Sequence, residues 1–203
     1  MACGIAKMVL VAVLVADVVS PRTEIKIPEP TTPAVIETAP AWVPPTEAPT
    51  EAQTIPPQTA PVWQEGFVHY RVAGVTPPYE WAWYLYGQLA DRGIEWLYPT
   101  AVCQIYQESN WNQWSDNGRD FGLCQQKGIY WDGRAAAAGI PGADIWDPYA
   151  QLYVYSWMMS EYLRATGYDV NQALSMYYTG TWEYSETYVG HVLRWLDYLE
   201  VVK

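Results

Sequence analysis

Basic residues are scarce in this chain. It has 11 Lys and Arg against 22 Asp and Glu, for a formal charge of −11 over 203 residues. Nucleic acid is excluded as a partner on that balance, because phosphate binding needs a basic footprint. Histidine is scarcer still. His69 and His191 stand alone, so neither a histidine metal cluster nor a Ser-His-Asp set is present. There is no phosphate-binding Gly-rich loop. Cysteine is limited to Cys3, Cys103 and Cys124. Cys103 and Cys124 are either a disulfide formed outside the cytoplasm or two small buried hydrophobes.

Tyrosine and phenylalanine are missing from residues 21–65, which hold 11 of the 16 prolines among Thr, Ala and Glu. Such a stretch cannot bury a core and tends toward extended polyproline II, a linker or stalk. Before it, residues 1–20 carry Lys7 and an apolar run from Met8 to Val19 broken by Asp17. This length fits a signal peptide, with Leu14-Val15-Ala16 as a cleavage site, or an N-terminal anchor in contact with a membrane. A buried strand or helix is the plain alternative.

After residue 66 come all 17 Tyr and ten of the 12 Trp. The compositional break makes residues 66–203 the folded domain. The spacing predicts a helix from Pro78 to Asp91 with Trp81, Tyr84, Leu85 and Leu89 inward, closed by Gly93. A second helix starts near Pro99 and ends on Glu108, with Val102, Ile105, Tyr106 and Ser109 on one face. A polar loop, Asn110–Arg119, leads to a strand at Phe121–Gln125. Residues 126–146 read as irregular, with a short helix at Arg134–Ala138. Asp147 and Pro148 open a helix that buries Leu152, Ser156, Met159 and Leu163 and ends near Gly167. Asn171–Tyr178 is helical after Asp169. A last helix runs from Ser185 to Leu199, with Val189, Val192, Leu196 and Leu199 inward. The fold class is α+β and mainly α, with a minimal β-sheet.

One group stands out chemically. Glu108 lies near a helix C-terminus, where the dipole disfavours a negative charge, and Tyr106 and Trp111 offer aromatic cover. A carboxyl kept protonated near neutral pH can act as a general acid. The plain alternative is a solvated helix-end residue.

The run Glu108-Ser109-x-Trp111-Asn112, followed by Asp120-Phe121-Gly122-Leu123-Cys124-Gln125, resembles the lytic transglycosylase catalytic domain. So do Gly139-Ile140, Asp147-Pro148, Ala173-Leu174 leading to Tyr177-Tyr178-Thr179-Gly180, and Tyr188-Val189, all in the family's order across about residues 98–192. The resemblance implies a lysozyme-like fold and cleavage of peptidoglycan glycan strands, with no cofactor, by a monomeric catalytic domain. It implies that Glu108 is the catalytic acid and that Ser109 supports the helix–loop junction. It makes Gln125 and Tyr188 groove residues and Tyr177 the Tyr whose hydroxyl reaches the acid. Ser115 falls near the family's loop Ser, one or two positions out of register. Tyr178 replaces the family's Asn, Cys124 its usual Met, and Gln126–Tyr130 its Ile-Met-Pro-x-Thr.

Aromatic faces stack on sugar rings, so Trp111, Trp114, Trp131 and Trp182, read as loop residues, are saccharide-groove candidates; ordinary packing is the alternative for each. Asp116 and Asp120 are the candidates for a second carboxylate, although Asp116-Asn117-Gly118 is also a turn signal. Three functions follow as expectations: a lytic transglycosylase, a hydrolase of the same bond, or a non-catalytic wall-binding or virion module. The expected place is exported or anchored at the cell envelope, or on a phage particle.

Overall fold

The computed structural model describes residues 66–203. The expectations for residues 1–20 and 21–65 lie outside that range. The described residues are mainly helical, with two small antiparallel sheets.

Strand β1 is Tyr70–Val72 and helix α1 is Tyr79–Ala90, with Pro78 as its N-cap residue. Helix α1 buries Ala82, Leu85, Tyr86, Gln88 and Leu89, while Trp81 and Tyr84 are only half-buried. Gly93, at φ +69°, turns the chain into a 3-10 turn at Glu95–Leu97. Helix α2, Tyr98–Ser109, follows at once with Pro99 in its first turn, where the missing N–H costs nothing. It lies deep: Ala101, Val102, Cys103, Gln104 and Ile105 are all fully buried.

Strands β2 (Asp120–Phe121) and β3 (Gln126–Lys127) form a two-residue ribbon. The strand expected at Phe121–Gln125 is therefore mostly a turn. Gly122 N–H bonds the Ser115 carbonyl at 2.7 Å, and Gln125 N–H bonds the Gly122 carbonyl at 3.2 Å. The Leu123 carbonyl and both backbone groups of Cys124 go to side chains of helices rather than to a neighbouring strand. Helix α3, Gly128–Ala137, starts six residues before the short helix expected at Arg134. The Phe121 ring lies over Gly128, 2.7 Å from where a Cβ would stand, so only a glycine fits at this first helical residue without the ring shifting.

Helix α4, Pro148–Ala165, is capped by Asp147, whose carboxylate accepts the Tyr149 N–H at 2.9 Å. Leu152, Ser156, Met159 and Leu163 are buried as their spacing predicts. Helix α5, Val170–Thr179, is capped by Asp169 through the Gln172 N–H. Helix α6, Glu186–Arg194, is capped by Ser185. The last helix is shorter than expected. Residues Trp195–Tyr198 tighten into a 3-10 turn and Leu199–Val201 become strand β4. Val189 and Val192 are buried, whereas Leu196 and Leu199 are half-buried.

Strand β4 pairs with β1 in the register Tyr70–Val201, Arg71–Glu200 and Val72–Leu199, which ties the two ends of the domain together. The exposed Arg71–Glu200 ion pair across it adds little on its own. The core runs between α2 and the surrounding helices: α1 packs on α4, α4 on α5, and both α2 and α5 on α6. Cys103 and Cys124 are free thiols, fully buried, which is the small-hydrophobe reading of that pair. Their pKa values are pushed up by burial, so they stay as thiols.

Candidate active site at the C-terminal end of helix α2

Two consecutive left-handed residues end α2. Asn110 has φ +58° and Trp111 has φ +60°. Asn tolerates this region; an indole does so only against strain, which must be over-determined by its surroundings. Here the surroundings are clear. The reversal folds Trp111 back onto α2, where its Nε1–H donates to the Val102 carbonyl at 3.3 Å and its side chain is buried. Trp111 is thus core, not a groove residue. Trp131 is also core, buried on α3 with its Nε1–H on the Ala143 carbonyl at 2.7 Å. Trp114 and Trp182 remain well exposed.

The hairpin turn is clamped to three helices. Ser109 Oγ of α2 donates to the Leu123 carbonyl at 2.6 Å and ties the helix end to the turn. Gln151 of α4 accepts the Cys124 N–H through Oε1 at 2.6 Å and donates through Nε2 to the Phe121 and Ile145 carbonyls. The Tyr177 hydroxyl of α5 donates to the Cys124 carbonyl at 2.6 Å. It also accepts from Gln126 Nε2 at 2.7 Å, and Gln126 Oε1 accepts from Arg134 at 2.7 Å.

That geometry corrects one expectation. The hydroxyl on Glu108 is not that of Tyr177 but that of Tyr188, which donates to Glu108 Oε1. Gln125 sits at φ +45°, half-buried, and both ends of its amide bind within the loop: Nε2 to the Gly122 and Ser115 carbonyls, Oε1 to Asn117. Ser115 serves the same loop through its carbonyl, which accepts from Gly122 and Gln125. Asp116 accepts the Gly118 N–H at 2.6 Å, the turn chemistry its sequence suggested.

Glu108 itself is half-buried, and its carboxyl is pushed from an ordinary 4.5 up to about 7. Burial is the largest cause; the nearby Asp120 charge raises it further, and the Tyr188 hydrogen bond works against both. Asp120 places one carboxylate oxygen on Asn117 at 3.2 Å and leaves the other, Oδ1, buried without a hydrogen-bond partner. Such an orphan beside a second acid is the place where an ordered water or a polar substrate group is needed.

Sequence reading missed Gln104 and the pairing of Tyr178 with Tyr188. Tyr178 lies flat on the Tyr188 ring, 4.5 Å between centroids at 11°, with more than half its surface exposed. Where the resemblance leads to an Asn, this chain braces the Tyr that holds its acid. Gln104, one helical turn before Glu108, bonds Tyr188 from behind at 3.0 Å. The i, i+4 spacing signals a shared face, but a Gln among apolar neighbours carries no chemical signature of its own.

Replacing Tyr188 by Phe removes the hydrogen bond that opposes the raised carboxyl. The Glu108 titration is expected to move upward once that bond is lost. A direct titration of the Glu108 carboxyl in Tyr188→Phe checks this; an unmoved midpoint would show that the Tyr188 hydroxyl does not act on Glu108.

Among the described residues, no group of three or more His, Cys, Asp and Glu is placed to hold a metal ion. No family model matches this chain, and neither a curated protein nor a solved structure matches it.

Proposed function

We propose that residues 66–203 form a lysozyme-like lytic transglycosylase domain. It would cleave the β-1,4 bond between N-acetylmuramic acid and N-acetylglucosamine in peptidoglycan. The observation that carries this reading is Glu108: a carboxyl raised to about 7, with Oε1 held by the Tyr188 hydroxyl. A carboxyl that accepts a hydrogen bond on Oε1 keeps its own proton on Oε2, ready to be donated. The ordered motifs from Glu108 to Val189 supply the family reading.

The chemistry needs one carboxyl. Glu108 Oε2 gives its proton to the glycosidic oxygen as the bond from muramic C1 breaks. The positive charge left at C1 is stabilised by the sugar's own N-acetyl group. The ionised Glu108 then takes the proton of the same sugar's 6-hydroxyl, and O6 closes on C1 as a 1,6-anhydro ring. Proton and electron count balance with no water consumed.

Asp120 favours a second reading, hydrolysis. Its unpartnered Oδ1 and its effect on Glu108 are what a water-holding second carboxylate would show. The two readings separate by mass. Digesting purified peptidoglycan with the full chain and weighing the muropeptides is expected to give products lighter by one water than hydrolysis products. Hydrated products would replace the lyase by the hydrolase, and no release at all would sink both.

The pH dependence has a fixed sign. An acid must be protonated to act, so activity is expected to be flat below pH 7. Above it, activity falls about tenfold per pH unit as Glu108 ionises. A rate that keeps rising through pH 8 would show that Glu108 works as a base from the start.

A further inference from the structure

Four side chains form a single hydrogen-bonded line through the core, and each donor points the same way. The Tyr155 hydroxyl on α4 donates to Gln104 Oε1 at 2.8 Å. Gln104 Nε2 on α2 donates to the Tyr188 hydroxyl at 3.0 Å. Tyr188 on α6 donates to Glu108 Oε1. Gln104 and Tyr155 are completely buried and Tyr188 nearly so. A buried amide is costly unless both its ends are satisfied, and here both are.

A tyrosine hydroxyl has one proton. If the amide of Gln104 were reversed, its oxygen would face Tyr188 and claim that proton. Glu108 would then have to donate to the Tyr188 oxygen, and its own proton would point into the core rather than outward. The orientation present is the one that leaves Glu108 Oε2 as the proton carrier.

We infer that Gln104 is a positioning residue: by placing an N–H on the Tyr188 oxygen it directs that hydroxyl's proton to Glu108 Oε1 and reserves Oε2 for the acid's own proton. This rests on the proposed role of Glu108 as an acid. Several groups face or sense Glu108. They are Asp120 on β2, Cys124 in the hairpin turn, and the phenols of Tyr155, Tyr177 and Tyr188 on α4, α5 and α6. None of these is a cation, so aligned dipoles are what favours a negative charge on Glu108. Each bond in such a line polarises the next.

The test is a direct titration of Glu108 in the full chain. Glutamate carboxyls are labelled with carbon-13, and the Glu108 signal is identified by its loss in Glu108→Gln. Gln104→Met, similar in length but unable to hydrogen bond, is expected to raise the Glu108 midpoint by about one pH unit. Tyr155→Phe, which removes only the far end of the line, is expected to shift it the same way by about half as much. The core control Ile105→Val destabilises α2 without touching the line and should leave the midpoint in place. An unmoved midpoint in Tyr155→Phe or in folded Gln104→Met would overturn the inference, as would an equal shift in Ile105→Val. None of these readouts needs substrate. Wall digestion by the wild type with no shift in these variants would end this inference alone. The shifts without digestion would end only the enzymatic reading.

Discussion

Glu108→Gln is expected to release no muropeptides, a loss of at least about a hundredfold and up to about ten thousandfold, because it removes the proton donor. The same substitution should make the domain more stable at alkaline pH. The folded-state carboxyl is raised from an ordinary 4.5 to about 7. Its contribution to stability is therefore fully present below pH 4.5 and is lost as pH climbs through 7. Above that range the wild type must hold an ionised carboxylate in a desolvated place, at a cost of about 3 kcal/mol. Gln fills the same space, still accepts from Tyr188, and never ionises. Thermal unfolding of the two proteins should coincide near pH 4 and separate by several degrees near pH 8, with Glu108→Gln the higher. An inactive variant with no pH-dependent gain would show that Glu108 is needed for structure, not as a buried acid. An active variant would end its catalytic role.

Gly122→Ala is expected to be the most damaging single change in the hairpin turn. Gly122 sits at φ +72°, and a Cβ built on it would stand 1.9 Å from Gln151 Nε2. Two effects add. A left-handed alanine costs about 1 kcal/mol or more, and Gln151 must swing away from Cys124, Phe121 and Ile145, leaving buried groups unpaired for about 2 kcal/mol more. Urea denaturation should show the loss of about 3 kcal/mol. Activity should fall with it, since this turn anchors Ser109 and the strand bearing Asp120. Introduced into Gln151→Ala, where the clash is gone, the same substitution should cost only about 1 kcal/mol, the backbone share. Equal costs in both backgrounds would mean the amide contact plays no part.

Helix existence was legible along the sequence because it rests on local rules. Pro99, Asp147-Pro148, Asp169 and Ser185 mark helix starts through capping chemistry that needs no partner from afar. The 3.6-residue spacing picks out Val102, Ile105 and Ser109 of α2 and Leu152, Ser156, Met159 and Leu163 of α4 as buried, but not the burial of their other sides, including Ala101, Cys103 and Gln104, nor that Tyr106 is only half-buried. Glu108 was legible too, because a carboxyl at a helix C-terminus is unusual in itself, although the groups that act on it, Tyr188 and Asp120, were not the Tyr106 and Trp111 expected to cover it. The turn at Gly122–Gln125 was not legible, since its apolar residues read as a strand until Ser109, Gln151 and Tyr177 are seen to hold its backbone. Nor was the close approach of the Phe121 ring to Gly128 at the first residue of α3, a contact between two strands of chain that only the fold brings together. The last helix stops short because β4 pairs with β1, a contact between opposite ends of the domain.

The position of Glu108 at a helix end therefore belonged to the sequence, and its setting belonged to the fold. Composition and motif order determined a mainly helical domain with one acid at a helix end. Which tyrosine reaches that acid was decided only by tertiary structure. Tyr177 and Tyr188 are both buried phenols on neighbouring helices, and spacing along a chain does not say which hydroxyl faces which carboxyl. The packing of α6 on α2 brings Tyr188 to Glu108, while α5 gives Tyr177 to the turn. Gln104 shows the same limit, because an amide acquires direction only from the groups at its two ends, and those arrive on α4 and α6.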